Sequence, residues 1–154
     1  SWACDLYTTI GAPQALLNRP GMTEFLNIAQ SNVLEFARAL SLDVERQPPR
    51  IHECWINAYS SNQSQEIHLH RNSVISGIYF VQAPEGSGAT LFYSPMADSM
   101  LEPRALEGSH LNAKVTGFPP VEGRMLLFRS HLRHSVMPGT FAGERLTIAF
   151  NAVM

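Results

Sequence analysis

The sequence predicts a mainly β fold, a jelly-roll (double-stranded β-helix) with one N-terminal packing helix. Helical spacing occurs in one stretch, and after Pro49 the chain changes to short apolar or alternating runs. Gly, Pro, Asn and Ser separate most of these runs, as in sandwiches and barrels. A chain of 154 residues has the length of one domain. We therefore expect a single domain over residues 1–154, with 1–49 as loop and helix and 50–154 as the jelly-roll core.

The predicted helix begins at Thr23, a residue type that is favoured at the N-cap. Apolar residues then recur at helical spacing, at Leu26, Ala29, Val33, Phe36 or Ala37, and Leu40. This pattern predicts one amphipathic helix that runs to about Leu42 and stops before Pro48 and Pro49. Gly and Pro punctuate residues 1–21, so we expect a loop there.

Several runs in the second part of the chain are typical of strands. They are 51–59, 66–70, 74–83, 89–93, 124–129 and 145–153. The segment 85–88, Glu-Gly-Ser-Gly, predicts a hairpin-type turn between two of these strands. Residues 97–120 contain three Pro and two Gly, which indicates a long excursion over the surface. We expect this excursion to cover the functional site, because long loops in compact domains are often lids.

Composition and charge exclude several classes of partner. The formal net charge of -2 argues against a nucleic-acid partner, because such proteins usually carry a clustered basic surface. No run approaches the roughly 18 to 20 apolar residues of a membrane span, so we expect no membrane partner. Residues 1–10 lack the order of a signal peptide, and Cys4 and Cys54 are the only cysteines. We therefore expect a reduced, cytoplasmic setting, and a homodimer stays open.

Three of the six histidines form a candidate metal site. His68 and His70 are two apart in an alternating run, so on a strand they share one face, together with Glu66. Histidine is the commonest transition-metal ligand near neutral pH, and a strand-borne pair supplies two adjacent coordination positions. His134 lies far along the chain, after an apolar strand and a short polar turn. A strand pair with one distant histidine is an arrangement by which a jelly-roll builds an open metal site.

A candidate carboxylate socket follows the third histidine. Arg145 and Thr147 share one face of the last predicted strand, opposite Leu146 and Ile148. A guanidinium pairs bidentately with a carboxylate, and a hydroxyl adds a third bond. Burying such an arginine without an anion would be costly, which argues for a bound acid.

Residues 55–154 resemble the 2-oxoglutarate (2OG)/iron(II) oxygenase superfamily, most of all a small branch related to prolyl hydroxylases. That branch carries His-x-His followed by Ser-Gly-(Ile/Val)-Tyr-(Phe/Tyr), which is matched here by 68–80. It later carries Gly-x-x-x-x-Phe-x-Ser-x-x-x-His-x-Val-x-Pro, matched by 123–138, and Glu-Arg-x-(Ser/Thr)-x-x-Phe-Asn, matched by 144–151. The motifs come in the right order and spacing over about two-thirds of the chain.

The resemblance implies a cupin-like double-stranded β-helix, a role for each site residue and a dioxygenase activity. His134 would be the distal metal ligand, and Arg145 would pair with the C5 carboxylate of 2OG. Tyr59 is similar to the prolyl-hydroxylase tyrosine near the co-substrate, with Tyr79 and Thr147 as lesser contributors. The implied cofactors are Fe(II) and 2OG, and the implied reaction uses O2 to hydroxylate a peptide side chain or a small metabolite.

One position departs from the wider superfamily, which has His-x-Asp or His-x-Glu where this chain has His70. Three neutral imidazoles leave the full +2 charge on the metal, which changes its redox poise and its metal preference. A three-histidine site also suits zinc with a bound water. Glu66 is the alternative oxygen ligand, and we favour His70 because the resembling branch shares it.

Two other functions stay open at this stage. The first is a cupin-like three-histidine metalloenzyme, such as a dioxygenase or a zinc hydrolase, that does not use 2OG. In such an enzyme Arg145 would bind the acid group of the substrate itself. The second is a non-enzymatic jelly-roll module whose metal is structural. Formation of succinate with iron, and retention of the fold after chelation, separate these functions.

Overall fold

Two antiparallel sheets and one helix make up the fold in the computed structural model, which describes residues 6–98, 101, 103–109 and 112–154. The helix α1 is Thr23–Ala39, and short 3-10 turns lie at Pro20–Met22 and Pro95–Asp98. The strands are β1 Tyr7–Thr8, β2 Arg50–Tyr59, β3 Gln65–His68, β4 Ile75–Gln82, β5 Thr90–Tyr93, β6 Val115–Phe118, β7 Met125–Arg129, β8 His134–Val136 and β9 Arg145–Val153. The major sheet has the order β1-β2-β9-β4-β7, and the minor sheet has the order β3-β8-β5-β6.

The helix packs on the outer face of the major sheet. Ala29, Val33 and Ala37 are completely buried, and they share one core cluster with Ile75 of β4 and Phe150 of β9. This agrees with the predicted spacing of the apolar residues, because such positions form one stripe along a helix. The helix and its packing role are therefore confirmed.

The ends of α1 differ slightly from the prediction. Thr23 is the first helical residue rather than the N-cap, because the preceding 3-10 turn already has helical backbone angles at Met22. The Thr23 hydroxyl donates to the carbonyl of Pro20 at 3.0 Å. The helix ends at Ala39, short of Leu42, because Ser41 adopts a left-handed backbone with φ of 56°.

Strand β9 lies at the centre of the major sheet and carries both faces of the fold. It pairs with β2 on one side, where Arg145 lies opposite Tyr59, and with β4 on the other. An internal cavity is lined by Arg145, Thr147, Ala149 and Asn151 of this strand, whereas Phe150 and Ala152 pack under the helix. A Cβ at Gly77 of β4 would collide with the Phe150 ring, so glycine is needed for this close approach.

Several predicted connections are wrong in detail. The turn at 85–88 forms, but β4 and β5 belong to different sheets, so it is a crossing between sheets and not a hairpin. The excursion 97–120 contains strand β6, which pairs with β5. The loop predicted for 1–21 contains β1, which extends the major sheet beside β2. Strand β3 ends at His68, so His70 lies two residues beyond it.

Two findings concern the cysteines and the predicted absence of a membrane span. Cys54 is completely buried under the helix, and burial raises the pKa of its thiol to about 12. Cys4 lies outside the described residues, so the reduced cytoplasmic setting stays a prediction. Within the described part of the chain, no helix has the combination of length and apolar character that a bilayer span requires.

Candidate metal centre and acid socket

The three predicted histidines converge at one end of the cavity between the sheets. His68 at the end of β3 lies directly opposite His134 at the start of β8 in the strand pairing. His70 joins them from beyond β3, where its backbone N–H donates to the carbonyl of Ser130 at 2.9 Å. The ring centroids are 4.1 Å apart for His68 and His134, and 5.0 Å apart for His70 and His134. One nitrogen from each ring lies within 4.8 Å of the others, which is a spacing that one metal ion can bridge.

Burial keeps these three imidazoles neutral. Desolvation lowers the pKa of His134 to about 3 and that of His70 to about 4. Desolvation also lowers the pKa of His68, although its bond to the Glu66 carbonyl opposes this shift. A neutral imidazole keeps a lone pair for a metal, so near neutral pH the cluster is chemically suited to act as a ligand set.

Hydrogen bonds fix the tautomer of each ring. The Nδ1 atom of His68 lies 2.7 Å from the carbonyl oxygen of Glu66, and that of His134 lies 2.9 Å from the carbonyl oxygen of Leu132. The Nδ1 atom of His70 lies 2.6 Å from the amide oxygen of Asn151. Each partner is an acceptor, so each Nδ1 carries the proton and each Nε2 carries the lone pair. Metal-ligating histidines characteristically have this arrangement.

Arg145 lies at the other end of the cavity and is 2% exposed. Its Nη1 donates to the carbonyl of Gly88 at 2.7 Å, and its Nη2 donates to the hydroxyl of Thr90 at 3.3 Å. Its Nε is buried without a hydrogen-bond partner, and no carboxylate of the described residues pairs with its charge. Because a buried guanidinium without an anion is costly, the arrangement is suited to an acid that enters the cavity.

Polar side chains surround Arg145 on the cavity face. The Arg145 guanidinium lies 5.1 Å from the centre of the Tyr59 ring, and the Tyr59 hydroxyl donates to Gln65 Oε1 at 3.0 Å. Thr147 lies opposite Asn57 in the β2–β9 pairing, and both line the cavity. Gln65 and Asn57 were missed from the sequence. The alternation of β2 offered a signal for Asn57, because it shares a face with Tyr59.

One continuous cavity of about 230 Å³ connects the histidines with Arg145. Its wall combines the polar groups with the apolar side chains of Trp55, Ile78, Val136 and Ala149. Ile10 and Pro13, from the chain beside β1, also line it. The mixture of apolar wall and few polar groups is typical of a small-molecule site.

Two other residues considered for the site, Tyr79 and Glu66, have side chains outside the cavity and the histidine cluster. Tyr79 does not line the cavity; it lies on the opposite face of β4 and packs on Phe25 of α1, with ring centroids 5.3 Å apart. Strand alternation explains this error, because the neighbouring Ile78 occupies the cavity face. Glu66 is exposed, and its side chain is not part of the cluster of possible ligand atoms.

Two residues behind the metal centre were also missed. Asn151 Nδ2 donates to Glu53 Oε2 at 2.7 Å, while its Oδ1 faces His70. The family motif contains Asn151, but nothing in the sequence connected it with Glu53, which is 98 positions away. Only the strand pairing, in which the two lie opposite each other, brings them together.

This fold is that of the double-stranded β-helix class. The model of the family described as "Putative 2OG-Fe(II) oxygenase" matches residues 53–151. The chain belongs to this family, whose description names Fe(II) and 2OG, and the predicted resemblance and fold class are thereby confirmed. No curated protein sequence matches the chain.

Solved structures agree on the fold. The chain is similar to the non-haem α-ketoglutarate-dependent epimerase SnoN from nogalamycin biosynthesis, with a TM-score of 0.65, 13% identity, and coverage of 96% of this chain and 62% of SnoN. It is also similar to the viral collagen prolyl hydroxylase of Paramecium bursaria Chlorella virus-1, in complex with 2OG, with a TM-score of 0.61, 15% identity, and coverage of 98% of this chain and 80% of the viral enzyme. A Pseudomonas putida prolyl-4-hydroxylase has a TM-score of 0.60 and 16% identity, with coverage of 89% of this chain and 64% of that enzyme. The chain thus spans less than two-thirds of two of these proteins, and identities this low establish the fold alone.

Proposed function

We propose that this chain is an Fe(II)- and 2OG-dependent dioxygenase that hydroxylates a peptide side chain or a small metabolite. His68, His70 and His134 hold the iron, and Arg145 binds the C5 carboxylate of 2OG. The proposal includes a single oxygenase domain over residues 1–154. The observation that carries it is the one cavity that connects three neutral imidazoles with a buried guanidinium that no carboxylate of the described residues neutralises.

The ligand set suits iron that has to bind further molecules. The three imidazoles come from β3, β8 and the chain after β3, and all of them line the cavity. Three protein ligands leave the remaining coordination positions of the iron for 2OG and O2. Fe(II) bound there would supply O2 activation, coupled to conversion of 2OG into succinate and CO2. The protein supplies orientation and a site from which water is excluded.

The acid end of the cavity orients the co-substrate. Arg145 forms a charge-assisted pair with the far carboxylate, and the cavity walls keep that pair in a medium of low dielectric constant. Tyr59 and Thr147 lie beside it and contribute hydrogen-bond partners. Trp55 and Ile78 line the same cavity, and their apolar side chains exclude water from it.

The substrate class is left at two options. Among the similar structures, one is named as a collagen prolyl hydroxylase and another as an epimerase of nogalamycin biosynthesis, so one acts on a polypeptide and one on a small molecule. The cavity mouth of this chain combines the apolar Leu69 and Ile10 with the exposed Arg71. Both options fit such a mouth.

The test is an anaerobic titration of the Fe(II)-loaded protein with 2OG, followed by its visible charge-transfer absorption. We expect a weak band in the wild type and no band in His134→Ala or Arg145→Met. His52→Ala is the matched control, because His52 contacts Ser73 and does not line the cavity. Iron binding without a band would favour the three-histidine metalloenzyme that does not use 2OG. Unfolding on chelation would favour the structural metal module.

A further inference from the structure

We propose that Glu53 and Asn151 are positioning residues that hold His70 in its metal-binding tautomer. This inference rests on the proposed function, because it assigns a role toward the metal at the same site. Glu53 fixes the orientation of the Asn151 amide, and the amide in turn fixes the proton of His70 on Nδ1.

Three short hydrogen bonds carry the proposal. Asn151 is 4% exposed on β9, directly opposite Glu53 of β2. Its Nδ2 donates to Glu53 Oε2 at 2.7 Å. Its Oδ1 accepts from His70 Nδ1 at 2.6 Å and from the hydroxyl of Ser76 at 2.8 Å. The hydroxyl of Ser130 lies 2.8 Å from that of Ser76 and completes the cluster.

The chemistry of the groups allows one orientation only. A carboxylate accepts hydrogen bonds and cannot donate them, so the NH2 group of Asn151 has to face Glu53. The amide oxygen therefore has to face His70. A flipped amide would place its oxygen against the carboxylate and its NH2 against His70, which would move the imidazole proton to Nε2 and block metal binding.

His70 depends on this relay more than the other two histidines do. His68 and His134 donate to backbone carbonyls, whose orientation the strands fix. His70 lies beyond the end of β3 and has only side-chain partners at Nδ1, Asn151 and Ser76. Glu53 is also the one acidic residue among the described residues that line the cavity, so it supplies negative charge close to a ligand set of neutral imidazoles.

The test is a double-mutant cycle with Co(II) as the probe. Co(II) is titrated into the metal-free protein, and its visible d–d absorption gives both the affinity and the geometry of the site. Glu53→Leu removes the anchor of the amide, and we expect an affinity about 10- to 100-fold weaker, the usual cost of losing an outer-sphere partner. Glu45→Leu is the matched control, because Glu45 is exposed on the surface.

The double variant Glu53→Leu/Asn151→Asp separates positioning from a structural role. A carboxylate at position 151 accepts from His70 in either orientation and needs no anchor, so we expect the affinity and the d–d spectrum to return close to those of the wild type. The melting temperature of each metal-free variant monitors the fold separately. A purely structural role of Glu53 would leave the double variant as weak as the single one, and this result would overturn the inference.

The failure of the inference can be told from the failure of the proposed function. If the wild type binds Co(II), His70→Ala loses it and Glu53→Leu does not, then the relay is wrong and the three-histidine centre stands. If the wild type and His134→Ala bind Co(II) equally weakly, the metal centre itself is wrong and the relay falls with it.

Discussion

The two faces of strand β9 bury side chains of different polarity. On the outer face, Phe150 and Ala152 are completely buried, and they pack with Val33 of the helix and with Cys54. On the inner face, Arg145, Thr147 and Asn151 are buried to nearly the same extent, yet all three are polar. One strand thus places a core and a site only one residue apart.

The difference shows what each face is built for. Buried apolar groups stabilise the fold by leaving water, whereas buried polar groups reduce stability unless they find partners. Asn151 finds protein partners, but Arg145 retains a buried Nε without one. In the proposed function, 2OG supplies the missing partner on the inner face, whereas the outer face is complete in the protein alone.

Phe150→Ala changes the outer face and has the largest expected effect on the free energy of unfolding. Removal of this completely buried ring should lower the free energy of unfolding by about 3–5 kcal/mol, because it leaves a cavity under the helix. Co(II) affinity of the folded protein should not change. Urea denaturation and Co(II) titration measure the two effects, with the partly exposed Phe118→Ala as the control. A loss of metal affinity without a loss of stability would break the distinction between the faces.

Lowering the pH affects the inner face and has the next largest expected effect on stability. The folded-state pKa values of about 4 for His70 and about 3 for His134 lie below the ordinary value of 6.5. At a pH between the folded-state pKa and 6.5, the unfolded chain therefore binds more protons than the folded chain. Stability of the metal-free protein should therefore fall as the pH drops below about 6.5. Each histidine contributes up to about 1.4 kcal/mol per pH unit, or about 2–3 kcal/mol for the pair between pH 7.5 and 5.5.

Urea denaturation of the metal-free protein at these two pH values checks this expectation. His134→Leu removes one of the three imidazoles whose pKa burial lowers, so its loss of stability on acidification should be smaller than that of the wild type by about 1.4 kcal/mol. Equal stability of the wild type at both pH values would show that the histidines are not buried as neutral groups.

Thr147→Val has the smallest expected effect and sharpens the comparison. The change keeps the shape of the side chain but removes its hydroxyl from the cavity. Affinity for 2OG should fall roughly fivefold, which corresponds to about 1 kcal/mol for one neutral hydrogen bond. The free energy of unfolding should change by about 1 kcal/mol or less, because only one hydroxyl is exchanged for a methyl group. Anaerobic calorimetry with 2OG measures the first quantity, and Thr116→Val on β6 is the control. A drop in stability without a drop in affinity would assign Thr147 to the core.

The parts of the fold that were predictable have strong local periodicity. The spacing of Ala29, Val33 and Ala37 predicted the helix and its buried face, and the alternation of β9 placed Arg145 and Thr147 on one side. Strand β6 was missed because Val115 and Phe118 are partly exposed, so no continuous apolar face marks it. The turn at 85–88 was found, but a local turn signal does not say which sheet the next strand joins.

The site was predictable only as far as the motifs reached. The three histidines and Arg145 came from spacing and from the family resemblance. Glu53 contributes through pairing with a residue 98 positions away, and such contacts leave no periodic trace in one sequence. Tyr79 was placed at the co-substrate by the resemblance, although its alternation with Ile78 already assigned it to the other face.

In the proposed function, Arg145 binds the far carboxylate of 2OG while the histidines hold the metal. The most direct test compares the affinity of the anaerobic Fe(II)-loaded protein for 2OG with its affinity for 2-oxopentanoate, which lacks only that carboxylate. We expect the wild type to prefer 2OG by about 100-fold, since charge-assisted bonds contribute up to about 3 kcal/mol. Arg145→Met should lose most of this preference while it still binds iron. Equal affinity of the wild type for the two acids would contradict the claim and leave the buried guanidinium for a different partner.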